Sequence, residues 1–309
     1  MFIKTKNQIL DVVKKLNENS NDFTSNFISP AWYTIIKTSH EKYNKDLNKL
    51  LFSSWTNNFL NLLWFYDNRE YNISKIKRSK ILPLKTINSQ DWTDIDNISN
   101  EFYEILNEFL WYKNIWLTKN ITCMIWELLN NISNHSWKSD LYDNTWEVTI
   151  LSNYQSGQYY KKNNFIQISI VDSWKWILSS VRKKLPDIQN TEEAIKKALE
   201  PWFTWWTTLN DNNKNYNWTY NAWIWLTTTL DIIKKLGWDL FIWTKDCLYC
   251  YNWKKWDESF LKMPNWVWTF VVFNIYTDNV LEIDFSELRK QLLNDSILSQ
   301  DFDLNIDFW

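Results

Sequence analysis

The chain has 309 residues, with 34 Lys and Arg against 36 Asp and Glu, and a net charge of −2 that argues against a general binder of nucleic acid or acidic membrane. Its three cysteines make no disulfide framework. No apolar run approaches the ~20 residues that span a bilayer.

The composition departs from the globular norm at one point: 2 Gly stand beside 24 Trp. A chain of this length should carry about 22 glycines. The Trp positions are those where glycine is expected. They occur as the pair Trp205-Trp206, after Pro201 at Trp202, and in the polar turn Asn217-Trp218-Thr219. They alternate tightly in Trp174-Lys175-Trp176 and Trp223-Ile224-Trp225. Core packing does not place the bulkiest side chain there, whereas positive φ or close backbone approach calls for glycine. We read this as a gene whose code assigns glycine to a stop codon that was written out as tryptophan. The other reading is an aromatic-rich binding protein, but such a protein has no reason to lose its turn glycines as well.

In chain order, Met1 to Asn19 is a Lys-rich amphipathic helical pattern without the apolar core of a signal peptide, so a cytoplasmic protein is expected. Asn7 to Leu16 reads as a helix, and Ile28-Ser29-Pro30-Ala31-Trp32 opens another with Pro in its first turn. Ile35 to Leu51 and Asn57 to Trp64 continue helically, and Leu82-Pro83-Leu84 is extended. Residues 1–90 are expected to form a smaller interaction or sensing domain. Its one titratable feature of note is His40 in Ser39-His40-Glu41, followed by Lys42-Tyr43-Asn44, which reads as a surface histidine before a phospho-acceptor.

Residues 85–95 read as a polar linker. Ile95 to Tyr112 is an amphipathic helix with Ile98, Phe102, Ile105, Leu106 and Phe109 on one side. The next helix carries Glu127, Asn131 and His135 at four-residue spacing, hence on one face, backed by Ile121, Met124, Ile125, Leu128, Leu129 and Ile132. A carboxylate, an amide and an imidazole on one stripe could hold a metal-bound phosphate and activate its attacker, or could be a solvated polar face. Glu147 to Leu151 and Phe165 to Val171 read as strands joined by a polar turn containing Gly157.

Asp172-Ser173-Trp174-Lys175-Trp176-Ile177 becomes Asp-x-Gly-x-Gly-Ile with glycine restored: a strand ending on a carboxylate that can accept from a purine amine, next to bare backbone. Residues 185–221 are polar and read as a lid. Asn221-Ala222-Trp223-Ile224-Trp225-Leu226 becomes Gly-x-Gly-Leu entering the helix Thr227 to Leu236, whose free N–H groups suit a phosphate. Gly237 closes that helix. Asp239 to Trp243, Leu248 to Asn252 and Thr269 to Ile275 are strands. Cys247-x-x-Cys250 lacks a second pair and sits in a strand, which does not favour zinc. Asp278 to Trp309 holds eight acidic residues against Arg289 and Lys290, a solvated tail or a partner-docking segment.

Glu-x3-Asn-x3-His, Asp-x-Gly-x-Gly, Gly-x-Gly-Leu and then Trp268-Thr269 (Gly-Thr when restored) form an ordered set over about residues 95–277 that resembles the GHKL ATPase superfamily of gyrase, the ninety-kilodalton heat-shock chaperone, histidine kinases and mismatch-repair proteins. The N-terminal region loosely resembles a STAS domain. The resemblance implies an α+β, Bergerat-type two-layer sandwich, a mixed sheet with helices on one face, spanning residues 91–277 between the N-terminal domain (1–90) and the acidic tail (278–309). It implies ATP and Mg²⁺ as cofactors. Asn131 would bind Mg²⁺ and the phosphates, and Glu127 would be the base that activates water or an acceptor hydroxyl. His135 would lie near the phosphate path, and Asp172 would recognise the adenine amine. Trp174, Trp176, Trp223 and Trp225 would stand where bare backbone surrounds the nucleotide, with Ile177 and Leu226 closing the two motifs, and Thr269 would add a hydroxyl near the base. The implied activity is ATP hydrolysis or phosphoryl transfer to a partner protein, with a homodimer left open and neither nucleic acid nor a membrane span involved. Its rivals are a histidine kinase using His40 and a nucleotide-gated interaction protein without catalysis.

Overall fold

The structure, a computed structural model, describes residues 2–18, 22–23, 29–42, 60, 81–87, 92–110, 115–139, 153–172, 177–182, 185–200 and 224–278. Two helices come first, α1 (Phe2–Asn17) and α2 (Pro30–Lys42), followed by strand β1 (Ile81–Ile87). Helices α3 (Trp92–Phe109) and α4 (Ile115–Ser139) lead to the hairpin β2 (Asn153–Tyr160) and β3 (Phe165–Asp172). Then come α5 (Ile177–Arg182), α6 (Thr191–Leu199) and α7 (Ile224–Leu236), and the hairpin β4 (Asp239–Asn252) and β5 (Asp257–Tyr276). The fold is α+β. No helix among the described residues is long and apolar enough to cross a membrane.

The five strands form one open sheet in the order β1-β2-β3-β5-β4. Every neighbouring pair is antiparallel, where a mixed sheet was expected. The reason is the last hairpin. The crossover through α5–α7 makes β3 and β4 run the same way, but β5 inserts between them, antiparallel to both. Helices also lie over both faces rather than one. Alternation along β3 sends Ile166, Ile168 and Ile170 into a core with α3, α4, α5, α6 and α7. The opposite face presents Val171, Phe241, Leu248, Phe270 and Val272, which would be bare without α1 and α2. Those helices supply Ile9, Val12, Val13, Ile35 and Ile36 to a second core.

Within residues 1–90, then, α1, α2 and β1 all join this sheet. Ser29 caps α2, its hydroxyl accepting from the Trp32 N–H at 3.3 Å, and Pro30 takes the first helical position as expected. The expected helical stretch from Tyr43 to Leu51, the one over Asn57 to Trp64 apart from Leu60, the strand over Glu147 to Leu151 and the tail after Asp278 lie outside the described residues. The linker is shorter than expected, because β1 runs to Ile87 and α3 starts at Trp92.

Gly157 is not in a turn. It lies inside β2, buried opposite Leu82 and Ile168, beside an irregularity in β1 between Leu82 and Lys85 that accommodates Pro83 on the sheet edge. The β2–β3 turn is Lys161–Asn164, where Asn164 takes the left-handed conformation (φ 48°) that asparagine tolerates.

Candidate functional site

Helix α4 carries the first motif. Met124, Ile125, Leu128 and Leu129 are buried against the sheet, as the spacing required, so the helix is anchored along the side that flanks Glu127. Trp126 is half-buried, and its indole N–H donates to Asp96 of α3 at 2.9 Å, fixing α4 against its neighbour. Glu127, Asn131 and His135 follow one another on this helix at four-residue spacing. Their side chains lie outside the described residues, as do that of Ile132 and the second half of the expected polar face.

Asp172 is the last residue of β3, and the chain re-enters a helix at Ile177. In register, Asp172 stands opposite Thr269 of β5, and Thr269 stands opposite Thr244 of β4. The Thr244 and Thr269 hydroxyls are 3.3 Å apart, both buried. The alternation through Leu240 and Ile242, and through Val271 and Phe273, puts both threonines on the face covered by α4. Ile177 and Leu226 are buried in that same core with Leu128, Leu129, Ile170 and Val271. The four motif segments therefore flank one core. The side chain of Asp172, the residues Trp174, Trp176 and Trp223, and the side chain of Trp225 lie outside the described residues.

Helix α7 begins at Ile224, one turn earlier than its apolar pattern suggested, so Trp225 falls in its first turn. Its far end closes as expected. Gly237 at φ 69° donates to the Lys234 carbonyl, and Trp238 donates to that of Ile233, the paired bonds of a Schellman stop. The expected lid is structured in its first half. Asn190 caps α6, accepting from the Glu193 N–H at 2.9 Å, and Ala194, Ile195, Ala198 and Leu199 are buried in the first core. The Thr191 hydroxyl is held by Asp246 of β4. Residues 201–223 lie outside the described set.

Cys247 and Cys250 sit on opposite faces of β4, one in each core, so they do not share a ligand. Burial pushes both thiols up to about 12, keeping them protonated. No cluster of three metal-ligating side chains occurs among the described residues.

Several tryptophans sit uncomfortably as indoles. Trp256 closes the β4–β5 hairpin at φ 52° with its side chain 70% exposed, a left-handed position that disfavours any Cβ. The indole N–H groups of Trp238, Trp243 and Trp266 are buried without a hydrogen-bond partner. An unmade bond of this kind costs about 1–3 kcal/mol. Trp243 stacks on Trp266 with ring centroids 4.5 Å apart inside the second core.

Under α1 lies a polar network that sequence patterning did not point to. Asp239, fully buried at the start of β4, accepts from the Tyr276 hydroxyl at 2.6 Å, from Asn274 at 3.3 Å and from the Trp253 N–H at 3.3 Å. Asn274 and Gln167 bond each other and Thr5 of α1, Gln167 accepts from the Ala31 N–H of α2, and Thr34 meets Ser169 at 2.8 Å. Burial raises the Asp239 carboxyl, opposed by its hydrogen bonds from Tyr276, Asn274 and Trp253. The only available signal was the alternation of Gln167 and Ser169 with isoleucines, which looks the same for a solvated face.

The class the structure defines is an α+β protein with an open antiparallel sheet between two helical layers. No family model, no curated protein and no solved structure matches the chain.

Proposed function

We propose that the chain is an ATP-binding regulatory protein of the GHKL ATPase superfamily, in which residues 91–277 form a Bergerat-type nucleotide domain and α1 and α2 add a further layer. The observation that carries this reading is the register of Asp172 against Thr269 at the end of β3, where the chain turns into a helix on the sheet face that α4 covers. A carboxylate and a hydroxyl on neighbouring strands suit the amine edge of adenine. On the same face, α4 carries a carboxylate and an amide at helical spacing, and α7 offers a 13-residue helix whose start overlaps the third motif.

The side-chain oxygen of Asn131 is a hard ligand, which suits Mg²⁺. Asn131 would hold the ion with the phosphates, and the bound ion would neutralise charge developing on the transferred phosphoryl group. Glu127 takes a proton from the attacking water or acceptor hydroxyl. His135, one turn on, would lie near the phosphate path. Indoles at Trp174, Trp176, Trp223 and Trp225 would fill the cradle that glycine would leave open. The left-handed backbone of Trp256 and the unpartnered indoles of Trp238, Trp243 and Trp266 support glycine as the native residue at such positions. Phosphate transfer to His40 of the same chain is not favoured, because α2 lies over the sheet face opposite α4. Water or a partner protein is the preferred acceptor, and α1–α2 the preferred sensing or docking layer.

The test uses the full chain with glycine at those four cradle positions and radiolabelled ATP. Mg²⁺-dependent phosphate release or transfer is expected, abolished by Glu127→Ala with binding retained. A glycine-bearing chain that binds no ATP would overturn the reading. Binding with full function in Glu127→Ala would reduce it to a nucleotide-gated interaction protein.

A further inference from the structure

We propose that α1 and α2 form one cover that lifts off the sheet as a unit while the core on the other face stays closed, with the Thr5 hydroxyl as its lock. The proposal stands apart from the nucleotide site and rests on the polar network under the two helices. Gln167 of β3 stands opposite Asn274 of β5, and Asn274 stands opposite Asp239 of β4, so the three form a single row across neighbouring strands. All three are buried, as is Thr5, on the face that α1 and α2 cover.

The polarity of the row is fixed from its ends. The Ala31 N–H of α2 can only donate, so the Gln167 side-chain oxygen faces it, at 3.2 Å. The Gln167 nitrogen then donates to the Asn274 oxygen at 3.0 Å, and the Asn274 nitrogen donates to the Asp239 carboxylate at 3.3 Å. Thr5 of α1 sits at the middle. Its hydroxyl accepts from both amide nitrogens at 3.1 Å and donates to the Asn274 oxygen at 3.4 Å. A threonine hydroxyl has one hydrogen and two lone pairs, and here all are used. Each helix thus supplies a partner to the same row, and withdrawing one unbalances the amides that hold the other.

The two faces differ in what opening would expose. Under α3 to α7, strands β3 and β5 present Ile166, Ile168, Ile170, Val271, Phe273 and Ile275, whose exposure to water is unfavourable along the whole ladder. Under the cover the same strands alternate Gln167, Ser169 and Asn274 with Val171, Phe270 and Val272. Polar groups released there exchange protein partners for water at little net cost. The cover therefore opens at a lower free energy than the rest of the molecule.

The experiment is amide hydrogen exchange on the full chain, read by mass spectrometry in α1, α2, α3 and α7, for the parent, Thr5→Val and Thr5→Ser. In the parent, α1 and α2 should exchange together and faster than α3 and α7. Thr5→Val, which keeps the shape and removes the hydroxyl, should speed exchange in both α1 and the unaltered α2 by about tenfold and leave α3 and α7 alone. Thr5→Ser should keep the parent rates. A parent whose four helices exchange at one common rate overturns the proposal. So does a Thr5→Val chain with no change, with a change confined to α1, or with an equal change in α3 and α7.

Discussion

On the face of the sheet that α3 to α7 cover, the core is chiefly Ile, Leu and Val, and it obeys the alternation of the strands and the 3.6-residue period of the helices. On the face that α1 and α2 cover, Trp32, Trp243, Trp266 and Trp268 fill the interior, and a buried polar network joins Thr5, Gln167, Asn274, Asp239 and Tyr276. The difference separates two jobs. An aliphatic core anchors the helices and strands on which the motif residues lie. The other face is specified by hydrogen bonds that work in one arrangement only and lose most when one member is removed. It also carries most of the buried tryptophans that glycine would replace, so the native packing of the α1–α2 layer on the sheet is expected to be closer wherever those positions are glycine.

The largest effects should come from the first face. Asn131→Ala and Glu127→Ala, in the chain with the glycine cradle, should each lower ATP turnover by about 10²–10⁴-fold in a phosphate-release assay. Their melting temperatures should stay near the parent's. A matching collapse in stability would assign these residues to the fold instead.

Next comes the polar network on the second face. Tyr276→Phe removes the shortest donor to the buried Asp239 carboxylate and should cost about 1–3 kcal/mol. The cost should depend on pH. Burial already raises the Asp239 carboxyl, so its contribution to stability is full at acid pH and fades as pH rises through its folded-state value. Losing Tyr276 raises that value further. Thermal melts of parent and variant should therefore lie closer together near pH 4 than near pH 8, and a gap that widens toward acid would contradict this account.

Trp256→Gly tests the backbone alone. Relief of the left-handed Cβ should stabilise the chain by about 1–2 kcal/mol, a gain visible as a rise of several degrees in melting temperature, with Trp256→Ala giving none of it. The smallest effect is chemical. Cys123 is exposed on α4, whereas Cys247 and Cys250 are buried in the two separate cores with raised thiols. Alkylation at neutral pH should label Cys123 quickly and the other two only on unfolding. Fast labelling of all three would mean that β4 opens.

Much of the first face was legible beforehand because its signals are local and periodic. Ile98, Phe102, Ile105, Leu106 and Phe109 line α3 as the spacing dictated, and Gly237 stops α7. The second face was not legible. Gln167 and Ser169 alternate with isoleucine just as solvent-facing residues do, and only α2, more than a hundred residues earlier in the chain, turns that face into an interior. Glycine usually marks a turn, and on that ground alone Gly157 reads as one. The turn instead uses Asn164, and Gly157 lies within β2 opposite Leu82, beside the register irregularity of β1. The sheet's all-antiparallel order could not be read from a crossover connection, since nothing local says that β5 will slip between β3 and β4. At the candidate site, the motifs point to Asp172 and Thr269, whereas their register with each other and with Thr244 comes only from the pairing of the strands.

The most direct measurement is calorimetric titration of Mg²⁺–ATP into two full-length chains, one as written and one with glycine at positions 174, 176, 223 and 225. The account predicts micromolar binding to the glycine chain, about −8 kcal/mol, lost in its Asp172→Asn variant, and little or no binding to the chain with four indoles. Equal binding by both chains, or silence from the glycine chain, would contradict it.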